Sequence, residues 1–175
     1  MFERFTTTTR LVVVDAVREA QRERAPRITD EHLLLALLAH GRAAGLLGAA
    51  GLTREVLTGA FAAARRRAGL TDAETEALRS FGIDVDAVVE RIEQEHGEGA
   101  LASPRGDRHG RIPFAGNAKA LLANTLQQAR ERRDRQIGDE HLLLALAAGA
   151  GIAAQVLAAH GLSYAEVRAK LAEAS

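Results

Sequence analysis

No cysteine and no tryptophan occur in this 175-residue chain, which has one tyrosine and five phenylalanines. Without cysteine there is no disulfide framework, no thiolate-held zinc, no iron–sulfur cluster and no thiol nucleophile. Aromatic residues, at 3%, are too few for the stacking platforms that hold single-stranded nucleic acid. An excess of one charge is missing as well: 23 basic residues balance 23 acidic ones, for a formal net charge of zero. The chain therefore has no global basic footprint for nucleic acid or an anionic membrane. No stretch approaches the roughly 18 uninterrupted apolar residues of a membrane span. Met1-Phe2-Glu3-Arg4-Phe5 carries charges where a signal peptide would be apolar. The expected location is the cytoplasm, with neither nucleic acid nor membrane as partner. The only lysines are Lys119 and Lys170, and neither G-x-x-x-x-G-K-[ST] nor G-x-S-x-G occurs, so no nucleotide site or nucleophile elbow is read. No cofactor and no metal are expected.

What is present is aliphatic and helix-forming. Apolar residues make up 47%, which excludes a disordered chain. Ala, Leu, Arg and Glu dominate while β-branched and aromatic residues are scarce, and this predicts an all-α protein. The length suits one ordinary domain or two small repeats packed together.

The chain repeats itself. Residues 28–37, ITDEHLLLAL, and 137–146, IGDEHLLLAL, agree at nine of ten positions at an offset of 109. Residues 47–57, LGAAGLTREVL, and 157–167, LAAHGLSYAEV, share a helix end, a glycine, an apolar residue and a new helix start. Upstream, Leu11 to Ala20 and Leu121 to Ala129 are apolar at helical spacing. Each repeat reads as one long helix followed by three short ones, over 1–66 and 112–175. The intervening 67–111 reads as a helical insertion and a Gly-rich linker, the whole forming one compact domain. In the insertion, Thr71 to Ser80 predicts a helix, and Asp84 or Asp86 starts another that runs to about His96. Over 71–98, nine acids face two arginines. Residues 97–111 are polar, Gly-rich and basic.

Helix ends are well signalled. Thr29 is a good N-cap, with Asp30 and Glu31 in the first turn; Gly138 replaces it in the second copy. Ile28 with Leu33, and Ile137 with Leu142, occupy staple positions. Gly51, Gly82 and Gly161 stand where helices end in a left-handed residue.

The pairs Glu31-His32 and Glu140-His141 invite a metal reading, but its ligands must stand one helical turn apart, and no H-E-x-x-H or H-x-x-E-H exists. His32 and His141 are expected to make local hydrogen bonds at the third helical position. Glu31 and Glu140 either complement the helix dipole or pair with a guanidinium, and periodicity does not separate the two. Thr6-Thr7-Thr8-Thr9 stands before the first long helix as a cap or as an anion site. Arg65-Arg66-Arg67 and the run from Arg130 to Arg135 read as solvated helix faces. A DNA-reading helix would need basic residues where the helices after Asp-Glu-His are nearly all Leu and Ala.

These residues resemble the N-terminal substrate-receptor domain of Clp unfoldases, most closely the C-type. The resemblance rests on Met1 to Thr6, Arg10 to Val14, Ile28 to Leu37, Ile112-Pro113-Phe114 with Lys119, Ile137 to Leu146 and Gly151 to Leu157. It implies a pseudo-twofold bundle of two four-helix repeats, here with an extra insertion. It implies a non-enzymatic, free-standing protein- or peptide-binding module of the Clp proteolytic system, with a Clp unfoldase or protease as a further partner. Since no ATPase modules follow, the chain is expected to unfold nothing by itself. C-type domains recognise arginine-phosphorylated proteins. The resemblance places a phosphate near the first helix start and the guanidinium on the Glu of the repeated motif, which carries over to Thr6 with Glu31. In repeat two Glu140 matches, but Ala115 stands where a threonine is expected, so that site is expected to be weaker. The same family surface binds cyclic-peptide antibiotics, and the matching positions are Phe2, Val13, Val14, Phe114, Lys119 and Leu122. As an adaptor the chain would dock a Clp ring, with the acidic 71–98 segment as a candidate surface; as a decoy it would sequester peptide. The alternative is an Arg-rich helical DNA-binding regulator, which would show a steep fall of affinity with salt.

Overall fold

The computed structural model describes residues 2–67, 69–97, 100–101 and 112–173. Among these, ten α-helices follow a short 3-10 turn at Phe2–Arg4. They are α1 Thr7–Arg22, α2 Asp30–Leu37, α3 Gly41–Ala49, α4 Arg54–Arg66, α5 Asp72–Ser80, α6 Val85–His96, α7 Gly116–Glu131, α8 Asp139–Ala147, α9 Ile152–Ala159 and α10 Tyr164–Glu173. The all-α expectation, with four helices per repeat and two in the insertion, is met. Most of the linker read over 97–111 lies outside the described residues.

The helices begin where the capping residues stand. Thr6, Thr71 and Asp84 each accept a hydrogen bond from the backbone N–H three residues on. Of the threonine run only Thr6 precedes α1; Thr7, Thr8 and Thr9 form its first turn. At the repeated motif the cap is built by histidine. His32 Nδ1 accepts from the Thr29 amide at 3.0 Å, and His141 Nδ1 from the Gly138 amide at 2.9 Å. Histidine thus fills the place that glutamate holds in an ordinary capping box, and the chemistry survives the loss of a capping side chain at Gly138. Both staple pairs are buried. Gly51, Gly82 and Gly161 adopt positive φ after α3, α5 and α9.

Where one compact domain was expected, the chain divides by contacts into two compact units, Met1–Arg54 with Arg105–Ser175, and Glu55–Pro104, and all of α4 but Arg54 falls in the second. In the first, α2 and α8 are central: α2 touches α1, α3, α7, α8 and α9, while α8 touches α1, α2, α3, α7, α9 and α10. This explains why their leucines form continuous apolar runs rather than stripes. Leu33 to Leu37 and Leu142 to Leu146 are all at most 2% exposed. In the second unit, α4 carries the buried stripe Leu57, Phe61 and Ala64. There α5 packs on α6, and Arg66 holds Glu93 through two hydrogen bonds, 2.6 and 3.2 Å.

Two isolated parallel bridges tie the repeats together: Phe5 with Ile137, and Ile28 with Phe114. They are reciprocal. The Thr6 amide donates to the Ile137 carbonyl (3.0 Å) and the Ala115 amide to that of Ile28 (2.8 Å). The Ile137 amide donates to Arg4 and the Ile28 amide to Pro113, at 2.8 and 2.9 Å. Each repeat's leading segment is therefore clasped by the other repeat, as an internal twofold requires.

Candidate functional site

The exchange decides which residues meet. Because Phe5 pairs with Ile137, the N-cap of α1 is laid against the start of α8. A cavity of about 600 Å³ opens there, lined by Thr6, Gly138 and Glu140 together with Arg42, Arg132, Asp134, Arg135 and Gln136. The structure thus brings Thr6 together with Glu140, whereas the resemblance had been carried over as Thr6 with Glu31. The physical reason is the parallel bridge, which crosses between repeats. Glu31, at the start of α2, is accordingly on the side of Ala115, whose amide bonds to Ile28. The hydroxyl and the carboxylate of repeat two therefore belong to one site, and the substitution at Ala115 falls on the site of Glu31.

The local geometry suits an anion with a donor group attached. Thr6 is half-buried and its Oγ1 accepts from the Thr9 amide at 3.1 Å. The Thr9 hydroxyl is committed to the Ile137 carbonyl at 2.9 Å. The amides of Thr7 and Thr8, in the first turn of α1, have no acceptor within the helix. Glu140 is the second residue of α8, with its side chain 23% exposed. Arg42 comes from the first turn of α3, and Arg132 to Gln136 from the loop joining α7 to α8. That loop is fixed from both sides. Arg4 donates to the carbonyls of Asp134 and Arg135. Asp134 accepts from His141 Nε2 at 2.9 Å, the tautomer following from the acceptor role of Nδ1. Arg133 takes a left-handed φ of 61°, as Arg24 does at the end of α1 (52°), so both long helices end on an arginine where glycine is usual.

The arginines of this cavity were missed in the sequence. Arg132 and Arg135 sat inside a run read as a solvated face, and Arg42 was not singled out. The available signal was position: the run leads straight into the second Asp-Glu-His.

Three carboxylates that do not line the cavity are structural. Asp30 faces the start of α9 and accepts from Asn117 Nδ2 at 2.6 Å, and burial pushes its carboxyl above the usual range. Asp139 is its counterpart at the start of α3, accepting from the Ala43 amide at 2.7 Å. Glu19 is buried and gripped by Arg54 at 2.7 and 2.9 Å, which holds its carboxyl below the usual range.

The apolar positions expected at a peptide groove fare unequally. Val14 is 46% exposed and lies one turn from the equally exposed Leu11 on α1. Val13 and Phe114 are half-buried, and Lys119 is exposed. Leu122 is 5% exposed and belongs to the core, because α7 turns that face inward with Ala118, Leu121 and Thr125; a ligand does not reach it. The Phe2 side chain lies outside the described residues. Among the described residues no cluster of His, Asp and Glu could hold a metal ion, and no single helix is long and apolar enough to cross a membrane.

The family model for the Clp repeat (R) N-terminal domain matches residues 4–68, 67–160 and 113–175. Chaperone protein ClpC2, chloroplastic, of Oryza sativa subsp. japonica is 30% identical over 172 residues, covering 98% of this chain and 15% of the relative. The ClpA homolog of Cyanidium caldarium, an ATP-binding subunit of the ATP-dependent Clp protease, is also 30% identical, over 98% of this chain and 16% of its own length. The chain thus spans about a sixth of the curated relatives it matches. Among solved structures, the N-terminal domain of the caseinolytic-protease-associated chaperone ClpD from Arabidopsis thaliana superposes with a TM-score of 0.55 at 19% identity, covering 98% of this chain and 96% of that one. A chain from structural investigations of a malarial protein secretion system superposes with a TM-score of 0.63 at 15% identity, covering 97% and 93%. These two likenesses bear on the fold.

Proposed function

This chain belongs to the Clp repeat N-terminal domain family, and from that premise we propose that it is a non-enzymatic protein-binding module that takes phosphoarginine-tagged segments in the Thr6–Glu140 cavity. The observation that carries the reading is the meeting of a helix-start hydroxyl with a half-buried carboxylate in one cavity. A phosphorylated guanidinium offers N–H donors on one side and a phosphoryl group on the other. Glu140 takes the N–H groups in a charge-assisted pair. The phosphoryl group lies toward Thr6 and the open first turn of α1, where amides and the positive end of the helix dipole favour an anion. The ligands are tagged protein segments, and the expected further partner is a Clp unfoldase or protease, which the module would supply as an adaptor or protect as a decoy.

The test is capture of an arginine-phosphorylated protein against the same protein untreated. The chain should retain only the phosphorylated form, and Glu140→Gln should reduce retention at least tenfold, as expected for loss of a charged hydrogen-bonding partner worth about 1.5–3 kcal/mol. Equal capture of both forms would end the tag-reading proposal. It would move the weight to a peptide held by the exposed apolar turn of Leu11 and Val14.

A further inference from the structure

The two pseudo-equivalent sites have diverged in charge, and only one carries a cluster of arginines. Arg42, Arg132 and Arg135 all line the cavity of Thr6 and Glu140. At the offset of 109 that relates the repeats, Arg132 becomes Glu23 and Arg135 becomes Pro26; at the offset of 110 that matches Gly51 to Gly161, Arg42 becomes Ile152. On the Glu31 side the hydroxyl is lost too, at Ala115. Among the residues that line the first cavity, three arginines stand against two acids, Asp134 and Glu140, so the formal charge of the lining is positive. At the counterpart positions the excess is negative, since Glu23 and Glu31 outnumber Arg27.

Asp134 does not satisfy Arg132. Asp134 is already held by His141 Nε2 at 2.9 Å, and its contact to Arg132 Nε is long, at 3.5 Å. Arg132 Nε is buried without a hydrogen-bond partner. A buried guanidinium N–H with no acceptor is costly unless something supplies one. The loop that carries Arg132 and Arg135 is fixed by Arg4 and by the Asp134–His141 bond, so its backbone is placed before any ligand arrives.

We infer that Arg42, Arg132 and Arg135 bind the phosphoryl dianion of a ligand in the Thr6–Glu140 cavity, and that the chain has one such site rather than a symmetric pair. The inference rests on the phosphoarginine reading only for what the phosphoryl group is attached to. Arginine forks match tetrahedral oxyanions bidentately, and three of them make the dianion, rather than the tag's guanidinium, the main source of affinity. Specificity then divides: the arginines recognise the phosphoryl group, and Glu140 recognises the guanidinium to which it is bonded.

Calorimetric titration with phosphoarginine, O-phosphoserine, inorganic phosphate and arginine tests this on the whole chain. One equivalent of phosphoarginine should bind, and Arg42→Ala and Arg135→Ala should each weaken it about tenfold. Glu31→Gln should leave it unchanged. Arg132→Ala is read only after a melting curve, because Arg132 also contacts Asp134. Two equivalents of phosphoarginine, or affinities indifferent to both Arg42→Ala and Arg135→Ala, would overturn the inference, even if Glu140→Gln abolished binding and so upheld the phosphoarginine reading. Conversely, phosphate or O-phosphoserine bound as tightly as phosphoarginine, with the same dependence on the arginines, would uphold the dianion site and overturn the phosphoarginine reading. Failure of every phosphorylated probe to bind would overturn the inference.

Discussion

Glu31 and Glu140 hold the same place in two copies of one motif, yet their surroundings differ residue by residue. Across from Glu140 stands Thr6; on the side of Glu31 stands Ala115. The difference was half legible. The alanine could be read from the sequence, but the copy it belongs to could not, because a repeat shows which residues correspond and not which ones meet. A different carboxylate governs stability. Glu19 is buried between Arg22 and Arg54, with distances of 2.7 to 2.9 Å. Its folded-state pKa is depressed by the Arg54 hydrogen bonds, so its contribution is present above the unfolded glutamate value, about 4.3, and is lost as pH falls through the folded value. Glu19→Gln should therefore lower stability at pH 7 by about 1.5–3 kcal/mol. Thermal melts should show that gap between variant and parent narrowing below about pH 4. A gap that is constant with pH would mean that the charge of Glu19 contributes nothing. Asp30 acts with the opposite sign: burial raises its folded pKa, so what it adds is present in acid and disappears as pH rises through that value.

At the scale of the helix, boundaries were the most legible feature. Caps at Thr29, Thr71 and Asp84, and glycines at 51, 82 and 161, mark starts and stops by local chemistry alone. The start of α1 was read late, because four consecutive threonines offer four candidate caps and only the bridge of Phe5 to Ile137 selects Thr6. The start of α3 was less legible still. Gly41 takes a φ of 65° and lies against the Asp139 carboxylate, which accepts from the Ala43 amide in that first turn. A cap delivered from the other repeat leaves no local signature. This gives a contrast between two glycines of similar φ. Gly51→Ala meets open space and should cost only the left-handed penalty, about 1–2 kcal/mol. Gly41→Ala would in addition drive a methyl group into Asp139, and should cost more, by a further 1–3 kcal/mol or so. Urea denaturation of the two variants compares them directly, and equal midpoints would contradict the cross-repeat cap.

Across the whole molecule the recurring device is exchange between repeats. Leading segments bridge to the opposite motif, Asp30 and Asp139 serve helices of the opposite repeat, and the cavity draws Thr6 and Arg42 from one copy and Glu140 from the other. Composition and periodicity predicted an all-α pair of repeats because burial on α2 and α8 forces apolar runs. They were silent on the exchange, which depends on two isolated bridges without strand-forming sequence around them. They also hid the arginines, since a run of charge near a helix end looks the same whether it faces solvent or a ligand. The most direct measurement is a two-dimensional amide NMR titration of the chain with phosphoarginine. The account predicts shifts concentrated at Thr6, Arg42, Arg135, Gly138 and Glu140, with Ala115 and Glu31 unmoved. Shifts centred on Ala115 and Glu31 instead would contradict it.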